Sequence, residues 1–311
     1  MTYPWGDHRR FNSYNRFLQQ QFGERVQKLT LDAGFTCPNR DGTVGTGGCT
    51  YCLNTAFNPS YCSASKTVAQ QLTDGMEFHR KRYHGETYLA YFQAYSNTYA
   101  PLEKLREIYR PALEHPQVKG IVIGTRPDCV DDEKLDFFAE LQRRMFVSIE
   151  YGVESCHEET LRRINRGHSF GCAADAIRRT AERGIHCAAH LIYGLPGETP
   201  EMWLEDLREI NSLPLNSVKF HQLQIIKGTA MQQDYECNYS DFHLFTKEEY
   251  IHFIVQVTER LNPAFAIERF AGSVPPRFLL LNDWGHERYD VILHKIEKRM
   301  EELDTYQGKF F

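Results

Sequence analysis

VKGIVIGTRPDCVDDEKLDFFAELQRRMFVSIEYGV, residues 118–153, holds one full repeat of the pattern that decides the fold. An apolar, strand-like run (118–125) passes through a polar turn into an amphipathic stretch (131–144), and a second strand-like run follows (146–153). Two strands joined through a helix pair parallel, because parallel neighbours need a crossover connection. The same alternation extends in both directions. Strands are expected at 26–33, 87–94, 118–125, 146–153, 186–193 and 217–226, with helices at 65–82, 100–114, 131–144, 158–165 with 170–184, and 200–212. Six such units predict an α/β fold with a parallel sheet and helices outside it, curled into a partial (β/α)6 TIM-type barrel. A doubly wound open sheet is the rival arrangement. The tail adds a helix at 246–261, a strand near 264–270 and a helix at 289–303. No linker or internal repeat interrupts the chain. Residues 1–25 are therefore expected as an N-terminal extension, 26–230 as the core and 231–311 as a C-terminal extension packed on it.

In barrels of this type the functional residues collect in the loops after the strands' C-terminal ends. Those loops carry the unusual residues here. After the first strand comes CPNRDGTVGTGGCTYC (37–52), with Cys37 ahead of the Cys-x-x-Cys pair Cys49 and Cys52. Three thiolates are one short of a closed zinc site or a fully ligated iron–sulfur cluster, and an open position is where chemistry takes place. The later loops supply Gln93 to Thr98, Gly124 to Asp128, Glu154 with Ser155, and Tyr193 to Glu198.

The 311 residues suffice for a substantial core, and the net charge of −5 argues against a broad basic surface for nucleic acid. Local basic groups remain at 79–82, at Arg162 and Arg163 with Arg166, at Arg178 and Arg179, and at Lys295 with Lys298 and Arg299. No leader peptide and no run long enough to cross a bilayer is seen, so a cytoplasmic protein without membrane contact is expected. Nine cysteines in that reducing compartment suit a metal centre better than disulfides.

Together these segments resemble the radical S-adenosylmethionine (SAM) superfamily, and within it the YhcC-like branch related to the Elongator catalytic subunit. GFTCPNRDGTVGTGGCTYC (34–52), QAYSNTYAP (93–101), GTRPDC (124–129) and GVES…INRGH (152–168) carry the resemblance, and YGLPGET (193–199) and VKFHQLQIIKGT (218–229) extend it. The superfamily's usual motif has three residues between its first two cysteines. Eleven stand between Cys37 and Cys49, a departure shared with the Elongator relatives.

The resemblance implies that Cys37, Cys49 and Cys52 hold a [4Fe–4S] cluster whose remaining iron binds SAM. An electron from a low-potential donor of the flavodoxin or ferredoxin type would then release a 5′-deoxyadenosyl radical. It implies that Tyr51 covers the cluster and the adenine side. Gln93, Ser96 and Asn97 would receive the SAM amino group, where relatives have glycines. Glu154 and Arg166 would contact the ribose and the methionine carboxylate, while Gly194 and Gly197 let a loop approach adenine. Resemblance to the Elongator subunit makes tRNA, at a wobble uridine, the leading substrate class; radical chemistry on a small molecule or protein is the alternative.

Structural readings of the same residues stand beside these. Cys37, Cys49, Cys52 and Cys62 have the count of a Cys₄ zinc knot in a non-catalytic binding protein. Glu154 or Ser155 suits a helix cap near Cys156, and Arg166 suits a pairing with Glu159. His168, His190 and His221 read as core or rim histidines. Lys219 and His221 alternate onto one face of the sixth strand and become substrate contacts if that face is the barrel interior.

Overall fold

The computed structural model describes residues 2–81, 86–281, 284–285 and 287–311. Seven strands form one sheet: β1 (Gln27–Leu31), β2 (Tyr88–Phe92), β3 (Val118–Thr125), β4 (Phe146–Glu154), β5 (His186–Tyr193), β6 (Ser217–Gln222) and β7 (Ala266–Arg269). They lie in chain order, every neighbouring pair parallel. A doubly wound sheet would reverse its order at a switch point, and this one does not. The fold is a partial TIM-type barrel. Gly120 lies opposite Phe146 of β4, and a Cβ there would fall 2.3 Å from the Phe146 carbonyl oxygen.

The helices are α1 (Tyr14–Phe22), α2 (Val68–Arg80), α3 (Leu102–Leu113), α4 (Asp132–Gln142), α5 (Glu158–Arg163), α6 (Phe170–Glu182), α7 (Pro200–Ser212), α8 (Ala230–Cys237), α9 (Lys247–Arg260) and α10 (Tyr289–Glu302). Their starts are set by side chains that satisfy orphan backbone N–H groups. Thr67 with Gln70 and Thr246 with Glu249 form capping boxes, and Asp131, Ser169 and Thr199 each accept from the third residue onward. The principal apolar cluster fills the space between the outer face of the sheet and this helical layer, with Leu29, Phe92, Ile121, Ile149 and Phe220 fully buried.

Four elements differ from the sequence expectation: β6, β7, α1 and α8. β6 stops at Gln222 rather than running to 226, because the chain then pairs with 278–280: Leu280 donates its N–H to Ile225 and Lys227 donates to Phe278. The strand expected near 264–270, in the stretch assigned to a C-terminal extension, is β7 of the sheet itself and pairs with β6. α1 and α8 were absent from the sequence reading. α1 closes the lower end of the barrel, where Tyr14 and Leu18 pack with Val26, Leu89, Tyr91 and Val122. The chain before it is tied to the far edge, with the Ile267 N–H donating to the Asn12 carbonyl at 2.7 Å.

The first and last strands, β1 and β7, share no ladder. They meet through side chains, Lys28 Nζ lying 2.6 Å from Glu268 Oε2. Most of the basic groups singled out in the sequence are neutralised locally. Arg163 pairs with Asp234 and Asp241, Arg179 with Asp132, and Lys295 with Glu287; Arg82 lies outside the described residues. Among the described residues no helix is long and apolar enough to cross a membrane.

Candidate active site

A cleft of about 770 Å³ runs from the loops at the strands' C-terminal ends down the barrel axis. Cys37, Cys49 and Cys52 all line its upper end, and all nine cysteines are free thiols. Backbone hydrogen bonds hold the eleven-residue loop between the first two. Arg40 N–H donates to the Cys37 carbonyl and Gly48 N–H to the Asn39 carbonyl, both at 2.8 Å. Asn39 is fully buried, and its amide donates to the Asn165 carbonyl and approaches Cys49 Sγ at 3.8 Å. Asn165, with φ near 51°, donates in turn to Gly48 and Thr46 carbonyls. Among the described residues no three His, Cys, Asp or Glu side chains converge closely enough to hold one metal ion. Cys62 sits apart, beside Asp32 and Lys66. The four cysteines of a zinc knot are therefore not gathered at one point, since Cys62 is not among the cleft-lining thiols.

The surroundings of the thiols are cationic. Arg166 Nη1 lies 3.4 Å from Cys49 Sγ and its Nη2 donates to the Gly152 carbonyl at 2.5 Å. Glu154 Oε1 is 3.7 Å from Nη2. Gly152 makes this possible: a Cβ there would fall 2.5 Å from both the guanidinium and the carboxylate. Glu154 itself adopts φ of 70°, a left-handed conformation uncommon for a side-chain-bearing residue, at a bulge that ends the β4 ladder. Burial opposes charge on Arg166, but Tyr51, Cys49 and Glu154 hold its pKa well above the ordinary value. Burial pushes the Cys37 and Cys52 thiols up, so thiolates here need added positive charge. Arg126, buried and clamped by Asp128 at 2.6 and 2.8 Å, donates to the Arg166 carbonyl and completes this layer.

The lower end is different in kind. Inward-facing residues of β1, β2, β4, β5, β6 and β7 converge on the fully buried Glu150. Its Oε1 meets Lys28 Nζ at 2.6 Å, and its Oε2 meets His190 Nε2 at 2.8 Å and Lys219 Nζ at 3.2 Å. Glu268 accepts from Lys28 at 2.6 Å and from Ser217 at 2.8 Å. Tyr91 contributes its hydroxyl, 3.1 Å from Lys219. Burial works against an ionised Glu150, but Lys219, Lys28 and His190 hold its carboxyl well below the usual range. Burial lowers Lys219, with Glu150 opposing, and holds His221 well below the ordinary imidazole value. Isolated buried charges are costly, so this layer persists only because its members satisfy one another.

The structure brings Tyr51, Gln93, Glu154, Arg166, Lys219 and His221 to the same cleft as the three thiols. It does not bring Ser96, Asn97, Gly194 or Gly197 to the cleft wall. Ser96 bonds Thr125 at 3.0 Å, and the Asn97 amide donates to the Phe92 and Gly124 carbonyls, so both tie the β2–α3 loop to the end of β3 from inside. Gly194 has φ of 100° and abuts Leu223 and the His243 carbonyl. Glu198, in the same loop, binds Ser155 and the Trp203 indole rather than facing the cleft. Glu154 caps no helix; α5 starts at Glu158, and Glu159 faces Arg162 instead of Arg166. Sequence reasoning missed Lys28, Tyr91, Glu150 and Glu268, whose only signal is period-two alternation on strands far apart in the chain.

Three uncoupled thiols lining one cavity, too spread for a single ion and ringed by guanidinium groups, fit a [4Fe–4S] cluster with one iron left for another ligand. The Nε of Arg166 is buried without a partner beside Cys49, an unsatisfied donor that suits an anionic group there. The family model "Radical SAM superfamily" matches residues 40–210, and "Radical_SAM C-terminal domain" matches 215–302. Protein YhcC of Escherichia coli is 34% identical over 95% of this chain and 91% of its own length. The tRNA uridine(34) acetyltransferase of Methanocaldococcus infernus is 28% identical over 43% of this chain and 25% of its own length. Among solved structures, Elp3 of the same archaeon superposes with a TM-score of 0.65 at 16% identity, over 91% of this chain and 64% of that one. The chain thus belongs to the radical SAM superfamily, in its YhcC-like branch related to Elongator, and its cofactors are a [4Fe–4S] cluster and SAM.

Proposed function

We propose that the protein is a radical SAM enzyme that modifies a wobble uridine of tRNA. The observation that carries the reading is the continuous cleft, which joins the three thiols to a charged chamber in the barrel and opens at the loop face. In this reading Cys37, Cys49 and Cys52 each ligate one iron, and Arg40, Arg126 and Arg166 offset the negative charge of thiolates and sulfides. When bound, the cluster and SAM supply a 5′-deoxyadenosyl radical for hydrogen abstraction, driven by an electron from a flavodoxin- or ferredoxin-type donor. Arg166 pairs with the methionine carboxylate, and Glu154 accepts from the ribose hydroxyls. Tyr51 shields this region from water, and Gln93 offers its amide in the same cleft.

Support for RNA comes from two sides. One is the partial likeness to the tRNA uridine(34) acetyltransferase. The other is the mouth, where Tyr95 and Phe57 remain exposed and Arg40 lies 5.7 Å from the Tyr95 ring centre. Exposed aromatics and arginine planes are what single-stranded bases stack upon. A base splayed from an anticodon loop is small enough to enter while the backbone stays outside.

The test has two stages. Protein reconstituted anaerobically with iron and sulfide, then reduced, should convert SAM to 5′-deoxyadenosine, detected by mass spectrometry, and Cys49→Ala should not. Total tRNA nucleosides from cells with and without the protein should differ in a wobble-uridine derivative. An unchanged profile across growth conditions would overturn the tRNA reading and leave the radical chemistry standing.

A further inference from the structure

The charged chamber contains two groups that its internal pairing leaves over. Lys28 and Lys219 are matched by Glu150 and Glu268. Arg269, on the same cleft, has no carboxylate within ion-pair distance among the described residues; its guanidinium lies over the Tyr289 ring at 5.1 Å. The chamber therefore carries three fixed cations against two carboxylates. His221 also faces the cleft, 6.0 Å from the His190 ring, and among the described residues its ring nitrogens make no hydrogen bond. Gly272 makes room for it, since a Cβ there would fall 2.9 Å from His221 Nδ1. Lys219 and Arg269 are register partners on β6 and β7, and His221 is two residues beyond Lys219 on the same cleft-facing side of β6, which brings the three groups to one wall.

We propose that Arg269, Lys219 and His221 form a binding site for a carboxylate carried by the substrate. One excess positive charge matches one singly charged anion, and a planar carboxylate suits the guanidinium fork. A phosphate dianion would bring its second charge against Glu150 and Glu268, whose carboxylates line the same chamber. An unmodified uracil ring has no charge to offer this site. On the reading that the substrate is a tRNA base, the chamber selects a base already bearing an acidic substituent, and the reaction that supplies it is one that installs that group. The site lines the same cleft as the thiols, so an anchored carboxylate would hold the connecting atoms between anchor and SAM.

Calorimetry on the cluster-loaded protein with SAM, kept anaerobic, tests this without relying on turnover. The probes are 5-carboxymethyluridine, 5-methyluridine, uridine 5′-phosphate and phenylacetate. The carboxylate nucleoside should bind at least tenfold tighter than 5-methyluridine and uridine 5′-phosphate. Arg269→Gln should erase that preference, and His221→Phe should reduce it severalfold, which keeps the test alive if one variant fails to fold. Phenylacetate binding that needs Arg269, without nucleoside binding, would uphold the carboxylate site and overturn the tRNA reading. Equal binding of the carboxylate and methyl nucleosides, or a preference that survives Arg269→Gln, would overturn the site. So would uridine 5′-phosphate binding as tightly as the carboxylate.

Discussion

The two ends of the cleft are built on opposite plans. At the upper end a loop of glycines and polar residues bends around its own backbone hydrogen bonds, and the functional atoms are three thiols close in sequence. At the lower end no two partners of Glu150 share a strand: Lys28, His190 and Lys219 come from β1, β5 and β6. The upper end is a set of donors awaiting iron, whereas the charges gathered on Glu150 and Glu268 at the lower end are already satisfied by one another. Removing a residue should therefore cost cofactor at one end and stability at the other.

The largest effect is expected at the upper end. Cys49→Ala or Cys52→Ala should abolish cluster assembly, read as iron and sulfide content, while Cys62→Ala should leave it intact. Equal loss from all three would erase the distinction drawn between the loop thiols and the residue beside Asp32.

At the lower end, Glu150→Ala should leave cluster content unchanged and cost about 3–5 kcal/mol of unfolding free energy, because Lys28 and Lys219 lose their buried counter-charge. The pH dependence has a definite sign. A carboxyl held below its unfolded pKa contributes stability that is complete above about 4.5 and is lost as pH falls through the folded value. The gap between wild type and Glu150→Gln, measured by denaturant titration, should be constant near neutrality and shrink only in strong acid. A gap that instead grew on acidification would place Glu150 outside the ion-pair network.

Arg166→Ala sits at the junction of the two plans. SAM affinity should fall about tenfold to a hundredfold, the worth of a hydrogen bond to a charged group, with iron content retained. Unchanged affinity would remove Arg166 from the SAM site.

A buried acid outside both ends provides the reverse sign. Burial, with Glu198 nearby, pushes Asp206 up to about 6, although His157 at 2.9 Å opposes the shift. Between about pH 4 and 6 the folded state binds the extra proton, so stability falls as pH rises through that window. Asp206→Asn should flatten that segment of the stability profile; a profile identical to wild type would show that the shift is absent.

How far each region was legible follows from how local its physics is. The strands and helices of the core were readable because each carries its own periodicity, and the caps at Thr67, Asp131 and Thr246 lie within three residues of their targets. Cys37, Cys49 and Cys52 were readable because one short loop holds them all. Lys219 and His221 were placed on a common face by alternation alone, but nothing along the chain paired Lys219 with Glu150, sixty-nine residues away. Ser96 and Asn97 stood in the right loop yet point at the end of β3, because a loop's position in sequence does not say which way its side chains face.

By itself the sequence determined the alternating α/β order, the parallel pairing that order requires, and the three-thiol loop, all consequences of short-range pattern and spacing. Only the tertiary structure decided that β7 joins the sheet, that α1 stops the barrel's lower end, and that Glu150 gathers Lys28, His190 and Lys219. Curling the sheet carries inward-facing residues of distant strands to one axis, and that convergence depends on the curvature of the whole assembly rather than on any segment of it.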